Sequence, residues 1–169
     1  MRHDMLGIYL NDHLAGATTG QLLSRHLARR HRSAPYGGEL GRVADEIAAD
    51  RRVLLGLMER LSVPARRHKI VAGRLAEKAR LLKLNGRVAR RSGLSTFVEL
   101  ETLRLGIEGK ALLWQTLREL GPTGGALDEP QLEALVARAQ DQINTVESIR
   151  RNTATDTFGD SRVTRTVGA

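Results

Sequence analysis

The stretch STFVELETLRLGIEGKALLWQTLREL, residues 95–120, is apolar on two sides. At about 100° per residue, Leu100, Leu103, Ile107, Ala111, Trp114 and Leu117 fall on one side of a helix. Leu94, Val98, Leu105, Leu112 and Leu120 fall on another. A helix in water ordinarily carries one apolar stripe, so a helix with two is expected to be covered from two sides, inside a bundle. Composition agrees. Aromatic residues make up only 3 % of the chain, and its apolar content comes mainly from Leu, Ala and Val, which favours helices over a sheet sandwich.

The 169 residues suffice for one domain with a hydrophobic core. The chain has no Cys, which excludes disulfides, thiolate metal sites and thiol catalysis. No apolar run reaches the ~20 residues of a membrane span. Asn11, Asp12 and His13 interrupt the apolar N-terminus where a signal peptide would need continuity. A soluble, cytoplasmic protein is the expectation. The net charge is +8, with Arg far outnumbering Lys (Lys69, Lys78, Lys83 and Lys110). Arg usage can follow genome composition, but the positive sum attracts anions such as nucleic acid, lipid head groups and acidic proteins.

Periodicity and breakers predict helices over about 3–32, 38–62, 95–120 and 128–151, with a further, shorter helix over about 64–84. The first carries Leu6, Leu10, Leu14, Ala17 and Ala28 on one face, with Gly16 and Gly20 beside it to permit close helix approach. The second carries Leu40, Val43, Ile47, Leu54, Met58 and Leu61, with Asp50 and Arg51 intruding. Pro64 suits a first helical position. Thr96 and Glu99 have capping-box spacing, as do Asp128 and Gln131. The last helix turns Leu132, Leu135, Val136, Ala139, Ile143 and Val146 inward. Residues 1–151 read as one helical-bundle domain and 152–169 as a polar, flexible tail. The four longer helices, about 24–30 residues each, match at about 36–45 Å. If the second and the 95–120 helix run parallel, the 64–84 helix must return along the bundle as a crossover.

With that architecture, the segments LGIYLNDH (6–13) and DRRVLLGLMERLSV (50–63) resemble the first helix pair of small bacterial ferritin-like proteins, over roughly residues 5–150. The resemblance implies a four-helix bundle with one long crossover. In di-iron members, two helices each give a Glu and the other two each give Glu-x-x-His. Here the third residue after every Glu is something other than His, so no ligand set carries over and no cofactor is implied.

Other polar residues approach apolar faces. His13 lies between Leu6 and Ala17, Asp50 beside Val43, Leu54 and Leu61 with Glu46 one turn earlier, and Gln142 beside Leu135 and Val146. His13 and Asp50 could form a buried hydrogen-bonded pair, the ordinary reading, or with Glu108 part of a metal site. Glu101, Glu108 and Gln115 form a polar lane between the two apolar stripes, either a water-facing strip or ligands facing a cavity. Gly106 and Gly109 sit inside a helix at a cost of about 1 kcal/mol each against Ala, and without a phosphate-loop context. Close packing on another helix or subunit would offset that cost, and a homodimer is expected from them. Ser24, Ser92 and Ser95 have no nucleophile context. Lys69, Arg80, Lys83, Arg87, Arg90 and Arg91 concentrate charge on the 64–84 helix and just beyond. They could hold nucleic acid, an anionic membrane surface or an acidic protein, although no aromatics interleave for base stacking. Three functions compete: a non-catalytic structural or interaction protein without a di-iron centre, which is preferred; a binder of nucleic acid or anionic surfaces; and a divergent metal protein.

Overall fold

A computed structural model describes residues 3–66, 93–121 and 128–159. Four helices account for nearly all of them: α1 (His3–Arg30), α2 (Gly37–Arg60), α3 (Gly93–Glu119) and α4 (Glu129–Phe158). No strand occurs among the described residues.

Each helix buries one face that its periodicity predicts. Leu40, Val43, Ile47, Leu54 and Met58 are buried on α2, Leu100, Leu103, Ile107, Trp114 and Leu117 on α3, and Leu132, Leu135, Ala139, Ile143 and Val146 on α4. These faces meet in two apolar clusters. One joins Leu6, Leu10 and Leu14 of α1 to Leu54, Leu57 and Met58 of α2, Leu113, Trp114 and Leu117 of α3, and Leu132 and Leu135 of α4. The other joins Leu27, Leu40, Val43 and Ile47 to Leu100, Leu103, Ile107 and Ala111, and to Ala139, Ile143, Val146 and Ile149. The order of these residues along the chain fixes the directions: α1 and α4 run one way, α2 and α3 the other. The main contacts pair α1 with α2 and α3 with α4, while α1 also packs on α3 and α2 lightly on α4. Neighbours are therefore antiparallel throughout, and parallel α2 and α3 sit on a diagonal.

The chain between α2 and α3 consequently leaves one end of the bundle and re-enters at the other. Asn11 of α1 holds the exit: its amide donates to Pro64 O at 3.2 Å and its carbonyl accepts from Arg66 N at 2.7 Å. Pro64, Ala65 and Arg66 are not helical. The rest of the crossover helix expected over 64–84 lies outside the described residues. At the opposite end, the turn between α1 and α2 is tight at Gly37, where a Cβ would lie 2.6 Å from the carbonyl oxygens of His31 and Arg32.

Four expectations require correction. First, among the described residues α3 is covered on one side. Its second stripe, Leu94, Val98, Leu105, Leu112 and Leu120, faces outward, with Leu105 67 % and Leu112 59 % exposed. In a four-helix bundle each helix has neighbours on two flanks, here α1 and α4, and both pack toward the inner stripe. Second, among the described residues Gly16 and Gly20 do not serve close helix approach, because a Cβ on either would meet nothing within 4 Å; the same holds for Gly106 and Gly109, which leaves them the expected alternative of a contact with another subunit. Third, Thr96 and Glu99 do not cap α3, which begins at Gly93. Thr96 is buried against His31, and Glu99 pairs with Arg30. Asp128, by contrast, caps α4 as expected, accepting from Gln131 N at 2.9 Å. Fourth, α4 continues past Arg151 to Phe158, so the first part of the expected tail is helical. Thr153 is buried and the Phe158 ring stands edge-on to Phe97 at 5.3 Å, a tertiary contact that outweighs the weak helix propensity of NTATDT.

Candidate functional site

The two apolar clusters are separated by a layer of polar side chains at mid-bundle. Asp50 of α2, which is 1 % exposed, is its centre. Lys110 of α3 donates to Asp50 Oδ2 at 2.5 Å and also to Gln142 Oε1 of α4. Arg138, one turn before Gln142, donates to Asp50 Oδ1. The Gln142 amide nitrogen donates to Glu46 Oε2 at 2.9 Å and lies 3.4 Å from Asp50 Oδ2. Glu46 accepts from Arg42 at 3.0 Å, and Arg42 reaches Thr145 of α4 at 3.2 Å. Arg51, beside Asp50, donates to Thr18 of α1 at 3.1 Å.

A buried carboxylate requires compensation, and these partners supply it. Burial pulls Lys110 below the ordinary lysine value. The charge and hydrogen bond of Asp50 oppose that shift, Arg138 adds to it, and Glu46 opposes it. The ammonium points into the layer and both carboxylate oxygens of Asp50 are engaged, so neither group is free to take a ligand. Among the described residues, no three His, Cys, Asp or Glu side chains gather where they could hold a metal ion.

The sequence-predicted residues fall as follows. Asp50 and Gln142, read separately as polar residues on apolar faces, come together. His13 and Asp50 form neither a hydrogen bond nor an ion pair. His13 instead stacks edge-on with Tyr9, centroids 4.5 Å apart. Burial lowers its pKa, with Asp12 opposing. Glu101 and Glu108 pair with Arg150 at 3.7 Å and Arg104 at 3.3 Å, along the flank of α3 that faces α4. Lys69, Arg80, Lys83, Arg87, Arg90 and Arg91 lie outside the described residues. Lys110 and Arg138, the cations that complete the layer, went unrecognised as partners. Their signal was positional: Lys110 sits between Ile107 and Trp114 on the inner arc of α3, and Arg138 between Leu135 and Gln142 on that of α4.

Two further clusters line the surface. At the α1–α2 turn, His31 Nδ1 is 3.4 Å from the Tyr36 hydroxyl and Nε2 3.3 Å from the Thr96 hydroxyl. Burial lowers the His31 pKa, Arg30 lowers it further, Glu99 opposes, and His26 lowers it again. On α4, Glu147 accepts from Arg150 and Arg151 at 2.8 Å each and lies 3.2 Å from Arg104. Hydrogen bonds from Arg150 and then Arg151 draw its pKa from 4.5 to about 2. Arg150 also lies over the Phe97 ring at 5.3 Å, a cation–π contact.

These shifts set an acid profile. Below pH 6.5 the unfolded chain takes up protons on its histidines that folded His13 and His31 resist, so stability falls as pH drops from 6.5 toward their lowered values. Glu147 contributes stability above pH 4.5 that is lost as pH falls from 4.5 to about 2. The urea midpoint is expected to decline in two stages. His13→Gln should flatten the upper stage and Glu147→Gln the lower, and added salt should shrink the lower one because Glu147 is near the surface. A profile unchanged by both substitutions would contradict the assignment.

Two depressions on the surface of the described residues are open rather than enclosed, one of them lined by Pro35, Tyr36, Glu39, Arg42 and Asn152. No helix among the described residues is long and apolar enough to cross a membrane. No family model matches the chain, and no characterised protein or solved structure is significantly similar to it.

Proposed function

We propose that this chain is a non-catalytic helical-bundle protein of ferritin-like type, without a di-iron centre, that acts through surface association. One observation carries the reading. At mid-bundle, where di-iron bundles gather Glu and His ligands, the buried Asp50 carboxylate is neutralised by Lys110 and Arg138. An ammonium and a guanidinium occupy the positions from which a divalent cation would approach, and they repel one. Parallel α2 and α3, joined by a connection from one end to the other, support the ferritin-like arrangement, which has one long crossover.

The test is metal content and its consequence. Protein purified without a polyhistidine tag is expected to hold iron, manganese and zinc well below one ion per chain, and its melting temperature should not rise when those ions are added. Stoichiometric metal, or a rise in melting temperature that Asp50→Asn abolishes, would overturn the reading.

A further inference from the structure

We infer that the outward face of α3 is a self-association surface on which a second copy of this chain packs antiparallel. The inference rests on the reading of the chain as an association protein, and its test is independent of metal content.

Val98, Leu105 and Leu112 recur every seven residues along this face and are 37 %, 67 % and 59 % exposed. Between them, at alternating four- and three-residue steps, stand Thr102, Gly109 and Thr116. Large and small side chains thus alternate along an outward stripe, the pattern that lets one helix seat its side chains over the gaps of another. Gly106 and Gly109 have open space where their Cβ atoms would be, so packing among the described residues gives no reason for either.

The pattern is complementary to itself when reversed. With a two-fold axis at position 107, Leu105 of one copy lies over Gly109 of the other, Leu112 over Thr102 and Val98 over Thr116. Each contact occurs twice, as a closed two-fold interface requires. Gly106 and Gly109 then flank the axis, where the two helices come closest. One surface thereby serves both sides of the contact, so a second copy fits it with no further complementary surface. Charge points the same way. Glu101 and Glu108 at the edge of the stripe are already paired with Arg150 and Arg104, so the stripe offers little to steer a charged partner.

Area sets the strength. A helix face about 40 Å long and ~10 Å wide buries roughly 400 Å² per copy. Twice that falls below the ~1,200–2,000 Å² of stable complexes, so the dimer is weak and reversible. Both copies carry +8, so screening their repulsion strengthens association, the opposite of the salt response expected for an acidic partner.

Sedimentation velocity on the full chain, from about 5 to 300 µM and at about 50 and 500 mM salt, tests this. The expected result is a monomer–dimer equilibrium with more dimer at high salt. Leu105→Glu, on an exposed site, should weaken the dimer at least about tenfold while leaving the circular dichroism spectrum unchanged. Gly109→Ala should separate the two roles of that residue: the monomer melts higher because Ala favours the helix, yet the dimer weakens several-fold because the methyl group fills the gap for Leu105. A monomer throughout would overturn the inference, whether another stretch of the chain or a different protein covers the stripe. So would a dimer indifferent to both substitutions.

Discussion

Asp50→Ala is expected to destabilise the fold by about 3–5 kcal/mol, the cost of leaving a buried charge without its partner. Lys110 is only 12 % exposed and would lose its anion while keeping a hydrogen bond to Gln142. Arg138 is 36 % exposed and can swing toward water, so most of the loss falls on Lys110. Asp50→Asn should cost less, because an amide oxygen still accepts one hydrogen bond. Pairing Asp50→Leu with Lys110→Met should recover much of the loss, since an apolar pair of similar volume removes both desolvation penalties together. Urea unfolding of the single and double variants gives the coupling energy directly. A coupling near zero would show that the layer is not an electrostatic unit.

The second large effect lies one turn from Lys110. Trp114 is 1 % exposed and belongs to the cluster that binds the first half of α1 to the other helices. Trp114→Ala should cost about 3–5 kcal/mol through the cavity it leaves. The indole Nε1 is buried without a hydrogen-bond partner. Trp114→Phe removes that unpaired donor, whose burial costs about 1–3 kcal/mol, while giving up part of the ring volume. The phenylalanine variant should therefore stay close to the parent in urea midpoint. A Phe variant as unstable as the Ala variant would mean that shape at this site outweighs the unpaired N–H.

Helix positions and inward faces were legible because an amphipathic period of 3.6 residues is a local property. Leu40, Val43 and Ile47 share a face whatever packs on them. Polar residues on such faces were legible too, since Asp50 and Gln142 break an otherwise apolar arc. Their partners were not, because Lys110 lies 60 residues from Asp50 in sequence and Arg138 lies 88. The pairing becomes visible only once the helices have neighbours. The same limit misled the reading of α3. Its second apolar stripe implied a covering, but periodicity cannot say whether the cover comes from the same chain. The far end of α4 shows a third kind of limit. NTATDT carries little local preference for a helix, and the buried Thr153 with the Phe97–Phe158 contact decides its conformation.

The mid-bundle layer also acts as a key against misthreading. Apolar clusters tolerate a sliding helix, because a leucine one turn along fills nearly the same space. Asp50 does not. A slip of α3 by one turn, about 5.4 Å, replaces Lys110 with Gly106 and Ile107 or with Leu113 and Trp114, none of which can answer a carboxylate. Four leucine-rich rods with many near-equivalent alignments are thereby held to one.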